Sequence, residues 1–193
     1  MRQPRILVFS GSIRGGSYNT RLAALAAKRL LLADADVTRI SLADYPMPIY
    51  DGDREREKGV PDSAHKLKRQ MQEHGGVFIA CPEYNTAVTP LLKNTLDWLS
   101  RLNDPGEPPA AAFKDRVFAV GAASTGALGG MRGLIGVRTI LEVGLGALVL
   151  PDMVSVPKAN EAFDDHGELR DERASGLLDV LTRRLIREVR ARG

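Results

Sequence analysis

The stretch Ile6-Leu-Val-Phe-Ser-Gly-Ser-Ile-Arg-Gly-Gly-Ser-Tyr-Asn19 runs from four apolar residues, through a loop of glycines, hydroxyls and one arginine, into the Ala/Leu-rich segment 20–33. An apolar run of strand length followed by a helical pattern opens a βαβ unit. The loop between them can aim backbone N–H groups, serine hydroxyls and a guanidinium at an anion over a helix N-terminus, so it reads as a phosphate cradle. Its spacing excludes two common cradles. No Lys-Ser/Thr follows Gly16, as a nucleoside-triphosphate loop requires, and no G-x-G-x-x-G follows the strand. The phosphate is expected to belong to something other than ATP or a dinucleotide pyrophosphate.

The pattern repeats outward from this unit. Strand-length apolar runs at 6–9, 37–40, 77–81, 117–121 and 147–150 alternate with helical patterns at 19–33, 62–74, 90–102, 131–145 and 171–191. Helices long enough to cross over between strands predict an α/β fold with a parallel sheet covered on both faces. Five strands favour the doubly wound order 2-1-3-4-5, in which ligands bind at the carboxyl ends of the strands beside the switch point. Residues 103–109 read as an exposed turn-rich loop and 50–61 as a long charged loop.

The 193 residues, 44% hydrophobic and 26% charged, suit one soluble domain spanning 1–193. No apolar stretch approaches the ~20 residues of a membrane span, so a cytoplasmic protein with no membrane contact is expected. The lone Cys81 cannot make an internal disulfide or a Cys-x-x-Cys centre. The net charge of +3 owes much to the arginines of 183–192, which lack interleaved aromatics and read as a solvated helix end rather than a nucleic-acid patch. His65, His74 and His166 offer no metal-ligand spacing. Ser12 and Ser17 lack a His/Asp partner, which argues against nucleophilic catalysis.

If the first loop binds a phosphate, the loops after the third and fourth strands should also carry unusual chemistry. The third run leads into Cys81-Pro-Glu-Tyr-Asn-Thr-Ala-Val-Thr-Pro90, where Thr89 fits as a helix N-cap with Pro90 at the first helical position. Pro82-Glu-Tyr-Asn85 offers an aromatic face, an amide and backbone N–H groups, a set suited to a flat heteroaromatic ring. It reads equally as a turn in which Asn85 bonds its own backbone and Tyr84 packs locally. The fourth run is followed by Gly121-Ala-Ala-Ser-Thr-Gly-Ala-Leu-Gly-Gly130, whose glycines allow close approach to a ligand. Three such loops converge on one end of one sheet.

In combination, Gly11-Ser-Ile-Arg-Gly-Gly-Ser-Tyr-Asn19, Pro82-Glu-Tyr-Asn85 with Leu92-Lys-Asn-Thr-Leu-Asp-Trp-Leu-Ser-Arg101, and Ser124-Thr-Gly with Gly129-Gly130 resemble the NAD(P)H-dependent FMN reductases. That flavodoxin-like group includes quinone, chromate and azo-dye reductases. The similarity runs over about 5–156. It implies a three-layer sandwich, FMN as cofactor, and NADPH or NADH as co-substrate.

Position by position, the resemblance implies that Ser12, Arg14, Ser17 and Asn19 hold the FMN phosphate. Arg14 leads these because a guanidinium grips phosphate bidentately, and Tyr18 joins the same cofactor-binding group. Pro82, Glu83, Tyr84 and Asn85 would border the isoalloxazine, and Ser124, Thr125 and Gly126 would line its other side. No side chain is expected to be catalytic, because the flavin carries the chemistry. Glu83 is favoured as structural over acid/base. Many relatives carry Ser, then Pro-Gly, where this chain has Ala87, Thr89 and Pro90, departures near the flavin rim that bear on substrate preference.

The implied activity passes hydride from NAD(P)H to FMN and then electrons to a small-molecule acceptor in a ping-pong cycle. Quinones lead the expected acceptors, with azo dyes, chromate or free flavin as alternatives. Self-association to a dimer or tetramer is implied, with the helix at 91–101 as its surface. Trp98 and Leu99 are assigned to core or subunit contact, and Cys81 to an inert core thiol. A flavodoxin-type electron carrier and a non-catalytic flavin- or quinone-binding module are the alternatives.

Overall fold

A computed structural model describes residues 3–193. In chain order it contains β1 (Arg5–Ser10), α1 (Tyr18–Leu32), β2 (Asp36–Arg39), α2 (Gly52–Lys58), α3 (Asp62–Gln72), β3 (Gly76–Ala80), β4 (Glu83–Tyr84), β5 (Ala87–Val88), α4 (Pro90–Ser100), β6 (Val117–Ala123), α5 (Met131–Thr139), β7 (Leu148–Val156), α6 (Ala159–Ala162) and α7 (Glu172–Arg190). The main sheet has the order β2-β1-β3-β6-β7, with every adjacent pair parallel. The five predicted strands take the predicted order, with a two-stranded hairpin added outside the sheet.

The central strands are apolar throughout because both faces are covered. On β1, Ile6 and Val8 join the core under α1 and α7, while Leu7 and Phe9 join the core under α3, α4 and α5. On β3, Phe78 and Ala80 face the first side, and Val77, Ile79 and Cys81 the second. This alternation fixes the register, since a slip of one residue would exchange the two faces.

Some boundaries depart from the sequence reading. The charged segment at 50–61 contains α2, capped by the Asp51 carboxylate on the Asp53 N–H at 2.8 Å and ended by Gly59 at φ 72°. It has no buried residue, so no hydrophobic period could announce it. The helical pattern at 131–145 divides into α5 and a π-helical turn at 140–144. The last sheet strand is longer than its apolar run and carries a register shift against β6. Pro151 lies on this edge strand, where its missing N–H is tolerated. The 103–109 loop is tied down by Lys68, whose side chain is 2% exposed and reaches Asp104 at 2.7 Å and also Glu107.

Candidate functional site

The three loops meet at the carboxyl edge of β1, β3 and β6. They enclose a cleft of about 150 Å³ lined by Ser12, Arg14, Ser17, Tyr18, Asn19, Pro82, Glu83, Tyr84, Ala123, Ser124 and Thr125. Asn85 and Gly126, expected with them, are not among the lining residues. Asn85 lies at a hairpin tip with φ 48°, and the Gly126 N–H donates to Ser124 Oγ at 3.3 Å.

The first loop is folded by its own hydroxyls. Ser10 Oγ accepts from the Ser12 N–H at 3.2 Å, and Ser12 Oγ from the Arg14 N–H at 3.3 Å. The Arg14 carbonyl then accepts from the Ser17 N–H at 3.2 Å, with Gly16 in the left-handed region at φ 69°. Gly11 must be small, since a Cβ there would stand 3.0 Å from Leu92 and 3.1 Å from Pro82. Thr89 caps α4 through the Leu92 N–H and donates to the Gly11 carbonyl at 2.9 Å, joining the second loop to the first.

Ser17 occupies the N-cap of α1 in extended backbone, yet its buried side chain makes no cap hydrogen bond. The N–H groups of Tyr18, Asn19 and Thr20 form the first turn, beyond the reach of any intrahelical carbonyl. The Arg14 guanidinium is exposed, its hydrogen bond going to the Gly15 carbonyl at 3.2 Å. Asn19 is used differently from its neighbours. Its Nδ2 donates to the Ala123 carbonyl at 2.8 Å and its Oδ1 accepts from the Ala123 N–H at 3.0 Å. The buried amide therefore joins the first loop to the third, and the backbone N–H is what Asn19 has left for an anion.

The second loop is a hairpin where the sequence suggested a simple turn. Glu83 pairs with Val88 and Tyr84 with Ala87, with Asn85 and Thr86 at φ 48° and 68°. Two left-handed central residues make the tight turn that matches strand twist. A β-branched Thr there is strained and gave no Asn-Gly signal. The hairpin leaves Tyr84 half exposed at the cleft. Glu83 has a side chain 7% exposed. Its Oε1 accepts from Arg132 Nη2 at 2.7 Å and Nε at 3.1 Å, and its Oε2 from the Gly133 N–H at 2.8 Å. Burial alone would raise its pKa, but the Gly133 N–H and Arg132 outweigh that and hold the carboxyl below its ordinary range. Glu83 thus serves as the N-terminal cap of α5, whose own cap position is Gly130.

The third loop is pinned to the end of β7. The Ser124 N–H donates to Val156 and the Ala159 N–H to Ser124, while Ser155 Oγ donates to Leu128. Gly129 and Gly130 are left-handed at φ 58° and 89°, and a Cβ on Gly130 would stand 2.7 Å from that of Ala122. Ala123 and Arg132 are the residues of this arrangement that the sequence did not flag, since one acts through its backbone and the other pairs across 49 positions. Trp98 and Leu99 are buried in the chain's own core. The indole N–H of Trp98 donates to the Pro48 carbonyl at 2.7 Å, so neither is open to a partner. Cys81 is fully buried, which pushes its thiol pKa far up and leaves it without thiolate character.

A profile of the NADPH-dependent FMN reductases matches residues 4–161. The chain belongs to this family. Among relatives of the FMN reductases, a quinone reductase of Escherichia coli K12 is 35% identical over 184 residues, covering 94% of this chain and 91% of its own. An NAD(P)H-dependent FMN reductase of Pseudomonas aeruginosa is 33% identical over 176 residues, 90% of this chain and 89% of that one. Among solved structures, a flavoenzyme NAD(P)H:(acceptor) oxidoreductase of Paracoccus denitrificans superposes with a TM-score of 0.73 at 24% identity, covering 98% and 99% of the two chains. The last likeness is one of fold. Membership in the FMN reductase family makes this protein an FMN-dependent, NAD(P)H-using oxidoreductase, as the motifs implied. Among the described residues no helix is long and apolar enough to cross a membrane.

Proposed function

We propose that the cleft holds FMN by its phosphate and that the enzyme reduces quinones with NAD(P)H, the two substrates entering the same place in turn. The observation that carries this reading is the unspent donor set at the head of α1. The Ser17 hydroxyl makes no cap bond, the first-turn N–H groups have no intrahelical partner, and the Arg14 guanidinium stands beside them at the cleft. Such donors fit a phosphate monoester. When bound there, FMN supplies the hydride-accepting and electron-donating chemistry.

The chain's own residues bind and orient. Arg14, Ser12 and Ser17 hold the anion. Pro82 and Tyr84 border the ring, and Ser124 and Thr125 face it from the third loop. Glu83 holds no proton to give near neutral pH, because Arg132 and Gly133 keep it ionised, so its part is to fix the hairpin against α5. A cleft of about 150 Å³ is smaller than the ~300–1,000 Å³ of sites that engulf a ligand. It suits an anchored tail with the ring lying open to a stacking partner, which supports one shared place for nicotinamide and acceptor and hence a ping-pong cycle. We also propose a cytoplasmic setting. Self-association, if through α4, would use its exposed Lys93 and the Arg101 that follows the helix rather than its buried apolar residues.

The test is anaerobic mixing of the FMN-loaded protein with NADH or NADPH, followed by a quinone. Bleaching of the flavin and its recovery on adding quinone are expected, with parallel-line kinetics in steady state. A yellow protein that stays oxidised with both nucleotides would identify an electron carrier instead. Protein that cannot be reconstituted with FMN would defeat the reading.

A further inference from the structure

On the far side of the first loop a second cavity of about 300 Å³ opens between the carboxyl ends of β1 and β2. Ser12, Thr20, Arg39, Ile40, Ser41 and Asp44 contribute to its walls. Ser12 stands in the wall of both cavities, so the two lie side by side at the first loop. Arg39, the last residue of β2, and Asp44, on a short turn capped by Ser41 Oγ, face the same space. Among the described residues neither forms a salt bridge or side-chain hydrogen bond, which leaves both charges to meet a ligand in the cavity. A guanidinium, a carboxylate and hydroxyls around an apolar Ile40 suit a ribose phosphate bearing a flat base. The place is also physically apt. In a parallel β-α-β unit the end of the second strand lies beside the phosphate loop, and dinucleotide-binding folds put a ribose-reading acid or a phosphate-reading arginine there. That comparison is one of fold geometry.

We propose that this cavity receives the adenosine end of NADPH, with Arg39 taking the 2′-phosphate and Asp44 accepting from a ribose hydroxyl. The proposal deepens the functional reading above and rests on it, since it supposes that the nicotinamide lies over the cleft. Arg39 pairs with the 2′-phosphate that NADH lacks and so favours NADPH, while the like charge of Asp44 keeps that preference moderate.

The test reads binding and turnover separately. Calorimetry on the FMN-loaded protein should show 2′,5′-ADP binding without displacement of FMN, weakened at least tenfold by Arg39→Ala. In turnover, Arg39→Ala should raise KM for NADPH about tenfold with kcat and the KM for NADH little changed. Asp44→Ala should raise KM for NADH, and raise that for NADPH less, since the variant loses the ribose acceptor but also the repulsion of the 2′-phosphate. Undetectable 2′,5′-ADP binding at millimolar concentration, or binding equal in wild type and Arg39→Ala, would overturn the proposal. So would FAD binding far tighter than FMN in an Arg39-dependent way, because the cavity would then belong to the flavin. Failure of both nucleotides to reduce the flavin would instead count against the functional reading, while the calorimetric comparison still decides this one.

Discussion

The side-chain amide of Asn19 grips the backbone of Ala123 in both directions, donating to its carbonyl at 2.8 Å and accepting from its N–H at 3.0 Å. Asn19→Ala would leave two buried backbone groups unpaired, each worth about 1–3 kcal/mol. We expect a fall in stability of about 2–4 kcal/mol, read from urea denaturation, together with weaker FMN binding because the third loop loses its tether.

Arg14→Ala should behave in the opposite way. Its guanidinium is exposed and bonded to the neighbouring Gly15 carbonyl, so the apoprotein should be as stable as before. FMN binding should weaken by about 1.5–3 kcal/mol if a charge-assisted phosphate bond is lost. Riboflavin, which has no phosphate, should bind the variant and the parent equally. Equal loss for both flavins would mean that Arg14 shapes the cleft rather than holding the anion.

Glu83→Gln keeps one acceptor for the Gly133 N–H but removes the charge that Arg132 pairs with. We expect a stability loss of about 1–3 kcal/mol near neutral pH. Because the folded carboxyl titrates below its ordinary range, its contribution is complete above the unfolded pKa of ~4.3 and fades as pH falls through the folded value. Parent and variant should therefore converge in acid. The flavin absorption spectrum should shift in the variant if the hairpin moves, and flavin reduction should keep its pH profile, since Glu83 transfers no proton.

Glu107 gives a sharper pH test. The Lys68 ammonium, with the Asp104 N–H, draws its pKa down to about 2 against the opposing effect of burial. A depressed carboxylate stabilises the fold above ~4.3, and this stability is lost as pH falls through about 2. The gap in urea midpoint between the parent and Glu107→Gln should be constant from pH 7 to 5, narrow below about pH 4 and close as pH approaches about 2. A gap that persists at the acid end would show that the pairing is not what stabilises the 103–109 loop.

Trp98→Ala tests how the charged segment before α3 is held. The indole packs edge-on against Tyr50 with ring centroids 5.1 Å apart and donates to Pro48. Its truncation should cost about 3–5 kcal/mol, and hydrogen exchange should quicken across α2 and its approach.

What could be read in advance follows from how each residue acts. Runs such as Val77-Phe-Ile-Ala-Cys81 must be apolar on both faces, so the five sheet strands and their order were legible. Gly11, Thr89 and the three loops were legible because tight approach, capping and anion binding each demand particular residue types. The β4–β5 hairpin was not, because Asn85-Thr86 departs from the Asn-Gly that such a turn favours. Helix α2 is held by its cap and by Arg101, which pairs with Glu55 at 3.0 Å, leaving no periodic trace. The separate duty of Asn19 was invisible for a different reason, since its partner is main chain 104 positions away.

Three bonds brace the site: Thr89 to Gly11, Asn19 to Ala123, and Glu83 to Gly133. They run from the second loop to the first, from the first to the third, and from the second to the helix that follows the third, closing a triangle of hydrogen bonds around the mouth. A rigid mouth has been ordered by folding and loses little further freedom when a ligand arrives. A ligand entering such a mouth meets groups already in place, so little of its binding free energy goes into ordering the loops.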